Sequence, residues 1–99
     1  MKQPISFNRN VSRDLKDILS FYEEEGGAAL ADKFFELLMA RIEQIRENPE
    51  QFPFSDLGIR RANLEQFPYH LLYRVNPERV RIFVLRHDSR KPSYGMRRR

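Results

Sequence analysis

Cysteine and tryptophan are absent from this 99-residue chain, histidine occurs twice and glycine four times. Without cysteine there is no disulfide, no thiolate nucleophile and none of the usual structural zinc sites. His70 and His87 alone are too few for a histidine cage, so neither metal nor cofactor is expected. Long apolar runs are missing too. Nothing approaches the roughly 20 residues that cross a bilayer, and Met1 to Phe7 lacks the apolar stretch of a secretory leader. The expectation is a cytoplasmic protein with no membrane partner. No internal repeat or low-complexity segment occurs apart from a short arginine end, and the length fits one domain over 1–99.

Acidic residues are scarce in the second half. Residues 1–56 carry 7 Lys/Arg against 11 Asp/Glu, net −4, whereas residues 57–99 carry 11 against 3, net +8. Cations gathered on one structural unit suit an anionic partner, either nucleic acid or an acidic protein segment. A merely solvated charged surface is the plainer alternative. It fits less well, because these arginines are interleaved with strand-forming apolar residues.

Apolar spacing supplies the elements. Ile5-Ser6-Phe7 alternates and predicts a short first strand. Asn10 or Ser12 is placed to cap a helix whose Val11, Leu15, Ile18 and Tyr22 share one face. Gly26-Gly27 ends it. A second helix runs from about Ala28 to Glu47, with Leu30, Phe34, Leu37, Leu38, Ile42 and Ile45 as its stripe, and Asn48-Pro49 stops it. A loop with Pro49 and Pro53 follows, anchored by Phe52 and Phe54. The period then becomes two. Strands are expected at Ile59 to Leu64, Tyr69 to Val75 and about Arg79 to Arg86, the last two joined by the turn Asn76-Pro77-Glu78.

The order β-α-α-β-β-β describes an α+β fold, an antiparallel sheet with an α-helical hairpin packed on one face. The helices should cover Ala62, Leu71 and Ile82. In the third strand Val80, Ile82 and Val84 would share a face opposite Arg81, Phe83 and Leu85. The open face should show Arg61, Asn63, His70 and Arg81, with Arg90 and Tyr94 at its end.

Five patches in this order resemble the RelE/ParE superfamily of bacterial type II toxin–antitoxin toxins. They are Asp14 to Ile18, Ile45 to Pro49, Arg60-Arg61, Phe67 to Val75, and His87-x-x-Arg90-x-Pro92-x-Tyr94. The resemblance spans nearly the whole chain. It implies a small toxin held inactive by a cognate antitoxin that binds across the sheet and helices, with either DNA gyrase or ribosomal mRNA as target. RelE-like members are metal-free mRNA endoribonucleases, and ParE-like members poison gyrase.

Metal-free RNA cleavage needs a base for the 2′-hydroxyl, a cation for the phosphate and an acid for the leaving oxygen. By resemblance that set would be Arg61, His70, Arg90 and Tyr94. Two positions depart: His70 stands where the nucleases typically hold arginine, and Asn63 replaces a second basic residue. Neutral imidazole lacks the permanent guanidinium fork. The balance favours the gyrase-type toxin, with Arg61, Arg81, His87, Arg90, Arg97, Arg98 and Arg99 contacting target or nucleic acid. A non-toxic RNA-binding module of the same topology is the third reading. Each candidate also has an ordinary role: His70 against Phe83, His87 bonding nearby backbone at a strand end, Tyr73 in the core, Tyr94 over the sheet edge.

Overall fold

The computed structural model describes residues 3–99; Met1 and Lys2, at the head of the segment read as lacking a leader, lie outside the described residues. Strand β1 (Ile5–Phe7) leads into the helical element α1 (Arg9–Glu47), followed by β2 (Phe54–Asp56), β3 (Ile59–Asn63), β4 (Tyr69–Val75) and β5 (Val80–His87). The class is α+β, as the spacing predicts.

Asn8, rather than Asn10 or Ser12, caps α1. Its Oδ1 accepts the Asn10 N–H at 2.8 Å, satisfying a donor that the first turn leaves free. A straight helix of this length would run about 58 Å, yet the molecule's longest dimension is 40 Å. Gly27 resolves the mismatch. Its φ of 79° and ψ of −177° break the helical path, in a region essentially reserved for glycine. A Cβ there would meet nothing within 4 Å, so the backbone and not the space demands glycine. The arms 9–26 and 28–47 fold back on one another, with the Tyr22 and Phe34 rings 5.5 Å apart and Val11 and Leu15 sharing a groove with Leu38 and Ile42. This is the expected hairpin.

The sheet order is β1-β5-β4-β3-β2. Strands β2 to β5 pair antiparallel, but β1 runs parallel to β5, with Ile5 opposite Val80 and Phe7 opposite Ile82. The wholly antiparallel expectation is corrected here. The two helix arms cancel each other's travel, so β2 starts at the end where β1 finished. Four alternating strands then bring β5 into the direction of β1. Strand β2 was expected to be loop; it pairs with β3 across an irregular turn at Leu57-Gly58.

A second correction concerns faces. Leu72 pairs with Val84 but Tyr73 pairs with Ile82, which leaves Phe83 as an extra residue in β5. Such a bulge breaks the period of two. Val84 therefore joins Phe83, Leu72 and Ile59 on the face away from the helices, and Leu85 crosses to the helix-facing core with Val80 and Ile82. The helix-facing core also holds Phe34, Leu38, Ile45, Ala62, Leu71 and Tyr73. The face away from the helices is not fully open either. Tyr94 and Met96 pack on its apolar cluster. Gly95 lets the tail come this close: its φ is 81° and a Cβ there would lie 2.5 Å from Val84 Cγ2.

Candidate functional site

Adjacent strands place Asn63, His70 and Arg86 in one row, since Asn63 pairs with His70 and His70 with Arg86. His70 is 1% exposed, and both its ring nitrogens are engaged. Arg86 Nε donates to Nε2 at 2.9 Å. A guanidinium has no lone pair to offer, so Nε2 is the acceptor and Nδ1 carries the proton. That N–H points at Asp88 Oδ1, 2.8 Å away. Arg61 Nη2 reaches the same Asp88 oxygen at 3.4 Å, and its Nε donates to Asn63 Oδ1 at 2.8 Å. Burial, above all, lowers the His70 pKa, with Arg61 and Arg86 acting in the same direction against Asp88. The result is a neutral imidazole with no free basic nitrogen.

Arg86 ties this row to the tail. Its Nη1 donates to the carbonyls of Pro92 at 2.9 Å and Tyr94 at 2.8 Å. Beyond β1 the edge of β5 is closed by side chains. Asp14 Oδ2 accepts the Leu85 N–H at 3.4 Å, and Arg98 Nη1 reaches the Phe83 carbonyl at 3.4 Å. Asp14 is itself buried. It accepts from the Tyr94 hydroxyl at 2.9 Å and from Arg98 Nη1 at 2.6 Å. A buried carboxylate persists only when so paired, and here it pins the C-terminus to the first helix arm.

Of the four residues named for a nuclease, Arg61 and His70 are joined through Asp88, and Arg90 lies over the Tyr94 ring at 4.8 Å. Tyr94 spends its hydroxyl on Asp14. Among the basic contacts, Arg98 turns inward, while Arg90, Arg97 and Arg99 are exposed and Arg61 and Arg81 are half-buried. His87 accepts the Ser89 N–H at Nδ1, the strand-end role named for it, and lies edge-on to Tyr69. Tyr73 is core, its hydroxyl donated to the Pro49 carbonyl and its pKa raised by burial to about 12.

Sequence reasoning missed three residues. Asp14 falls between Val11 and Ile18 on the apolar helix face, and an acid in that stripe signals a buried cationic partner. Arg86 was hidden by the bulge, which alone turns it to the His70 side. Arg74 stands directly opposite Arg81, and among the described residues neither has an ion-pair partner. Like charges set opposite each other cost stability, and the Arg74 guanidinium lies against Gly58. Among the described residues no group of three or more His, Cys, Asp or Glu is arranged to hold a metal ion, and no helix is long and apolar enough to cross a membrane.

A helical hairpin on a five-stranded sheet, with a basic face and a latched basic tail, is the architecture expected of the RelE/ParE superfamily. The family model for the ParE toxin of the type II toxin–antitoxin system parDE matches residues 5–92, and the chain belongs to that family. It is the toxin component of such a module, and membership implies a cognate antitoxin as partner. Among solved structures, a chain of a chromosomal ParDE system from P. aeruginosa shares the fold. The TM-score is 0.77 at 20% identity, covering 87% of this chain and 96% of that one. No curated protein matches the sequence.

Proposed function

We propose that this toxin poisons DNA gyrase in the cytoplasm, through its basic sheet face and C-terminus, and does not cleave RNA. One observation carries the reading: both nitrogens of His70 are occupied, by Arg86 Nε–H and by Asp88, in a buried position. A general base must reach the proton it takes with a free lone pair. His70 has none, and Tyr94 holds its hydroxyl on Asp14. Apart from half-buried His87, whose Nδ1 is held by Ser89, the side chains this reading leaves for a partner are cations: Arg74, Arg81, Arg90, Arg97 and Arg99, with Arg61 beside Asp88. These groups suit binding and charge complementarity rather than proton transfer. In this reading the antitoxin covers the helices and sheet to neutralise the toxin; family membership supports the existence of that partner.

The test is induction of the toxin in a bacterium without its antitoxin, with DNA-damage signalling and cellular mRNA ends followed together. DNA-damage signalling with no new mRNA ends is the expected result. His70→Gln, which keeps a polar group in the row, should still arrest growth. New mRNA ends that vanish in His70→Gln, with rates falling about 10²-fold or more as lost acid–base groups require, would overturn the reading in favour of a ribosome-dependent nuclease. A chain that folds yet leaves growth unaffected would favour the non-toxic binding module.

A further inference from the structure

Arg86 is a buried cation without a carboxylate. It is 7% exposed, and its bonds go to neutral acceptors: the His70 ring and the carbonyls of Pro92 and Tyr94. Asp88, the acid on this face, is taken by His70 and Arg61. Within the described residues Nη2 of Arg86 makes no hydrogen bond. It is not sealed from solvent, since Ser6 Oγ is the sealed orphan among them. A buried guanidinium is ordinarily matched by an anion, and this one lines a cleft.

That cleft lies between the first helix arm and the tail. Its volume is about 180 Å³; Arg86 and Arg90 supply its cations, while Ile18, Phe21, Tyr69 and Leu85 supply apolar walls. Phe21 is 51% exposed, one turn beyond the buried Ile18. Asp14 also lines the cleft, but Tyr94, Arg98 and the Leu85 N–H have neutralised it. Asp17 stands exposed at the lip. The geometry points to a socket for one carboxylate side chain of a protein partner, its stem against Phe21 and Tyr69 and its oxygens on Arg86 Nη2 and Arg90. Size decides against a nucleotide. Clefts for cofactor-sized ligands run to roughly 300–1,000 Å³, whereas single anchoring side chains fill small desolvated pockets of this kind. The inference deepens the proposed function, because it names the chemistry by which the basic unit holds a protein.

The experiment follows the arginine side-chain N–H signals of the full-length toxin by NMR during titration with three probes. N-acetylglutamate amide carries the carboxylate, N-acetylglutamine amide is its uncharged twin, and adenosine monophosphate supplies a phosphate. Saturable shifts at Arg86 and Arg90 with the carboxylate, and none with its twin, are expected. Arg90→Gln, which removes an exposed rim cation stacked on Tyr94 but none of the hydrogen bonds of Arg86, Asp14 or Arg98 that hold the tail, should weaken binding about two- to five-fold, and Asp17→Asn should tighten it by a similar factor. Shifts of equal size at Arg97 and Arg99, equal response to the uncharged twin, or tighter binding of the nucleotide would each overturn the socket. The titration does not depend on growth arrest. A gyrase-negative toxin with a working socket therefore refutes only the function, and a gyrase poison with a silent cleft refutes only the socket.

Discussion

Each nitrogen of the His70 ring has one assigned partner, and a proton added at Nε2 would face the Arg86 guanidinium. The folded pKa therefore lies below the ordinary value, and the unfolded chain, near 6.5, takes the proton first. Stability is full above about pH 6.5 and falls as the pH drops through that value toward the folded pKa. Urea midpoints at pH 7.5 and pH 5.5 should differ more for the wild type than for His70→Gln, in a window where carboxylates stay ionised. Equal slopes for both would show that the ring titrates freely. Asp14 gives a second residue-scale prediction. With Arg98 opposite it, Asp14→Ala leaves a half-buried guanidinium and a tyrosine hydroxyl without their acceptor, at a cost of about 3 kcal/mol. Substituting the exposed Arg97 or Arg99 should move stability by less than about 0.5 kcal/mol.

Among the elements, the sequence was legible wherever a period held. Val11, Ile18, Phe34, Leu38 and Ile45 fall on the buried faces that helical spacing assigns them. Alternation likewise put Leu71 and Tyr73 in the core. It failed at Phe83, where one extra residue reverses the faces of Val84 and Leu85 and turns Arg86 toward His70. No local signal in Val80 to His87 marks a bulge, because every residue there suits a strand. Strand β2 escaped notice for a different reason: flanked by Pro53 and Gly58, Phe54–Asp56 shows no apolar alternation and is held by pairing with β3. The hinge is open to test. Gly27→Ala should cost about 1–3 kcal/mol although space is free for the methyl, since its φ and ψ are nearly closed to other residues. Leu38→Ala, 2% exposed, should cost about 2–5 kcal/mol. Leu15→Ala should cost less, because Leu15 is only half-buried beside the groove. Chemical denaturation of the three variants ranks them directly.

For the molecule as a whole, the charge asymmetry sorts into two uses. Arg86 and Arg98 hold the tail to the sheet and helix, and Arg60 stacks on Phe54 and bonds the Phe52 carbonyl. Among the described residues Arg74, Arg79, Arg81, Arg90, Lys91, Arg97 and Arg99 make no ion pair, and the function proposed above draws its partner contacts from these and from Arg61. Sequence could locate the positive half but not divide it, because the division depends on where Asp14 and Asp88 end up in space. That division changes how the C-terminus must be probed. Ending the chain at Met96 removes Arg98 with Arg97 and Arg99, so lost toxicity would report an undone latch as readily as a lost contact. The double variant Arg97→Gln, Arg99→Gln leaves Asp14, Tyr94 and Arg98 in place. It should unfold at the wild-type temperature, yet bind its anionic target more weakly. Cations that meet a dense polyanion such as DNA release counterions, making log affinity fall with log salt. If the tail meets DNA held by gyrase, removing two such contacts should flatten that slope by close to two units, read from binding to gyrase–DNA between 50 and about 200 mM salt. An unchanged slope with unchanged affinity would place the target contact elsewhere, on the sheet face at Arg61, Arg74 and Arg81.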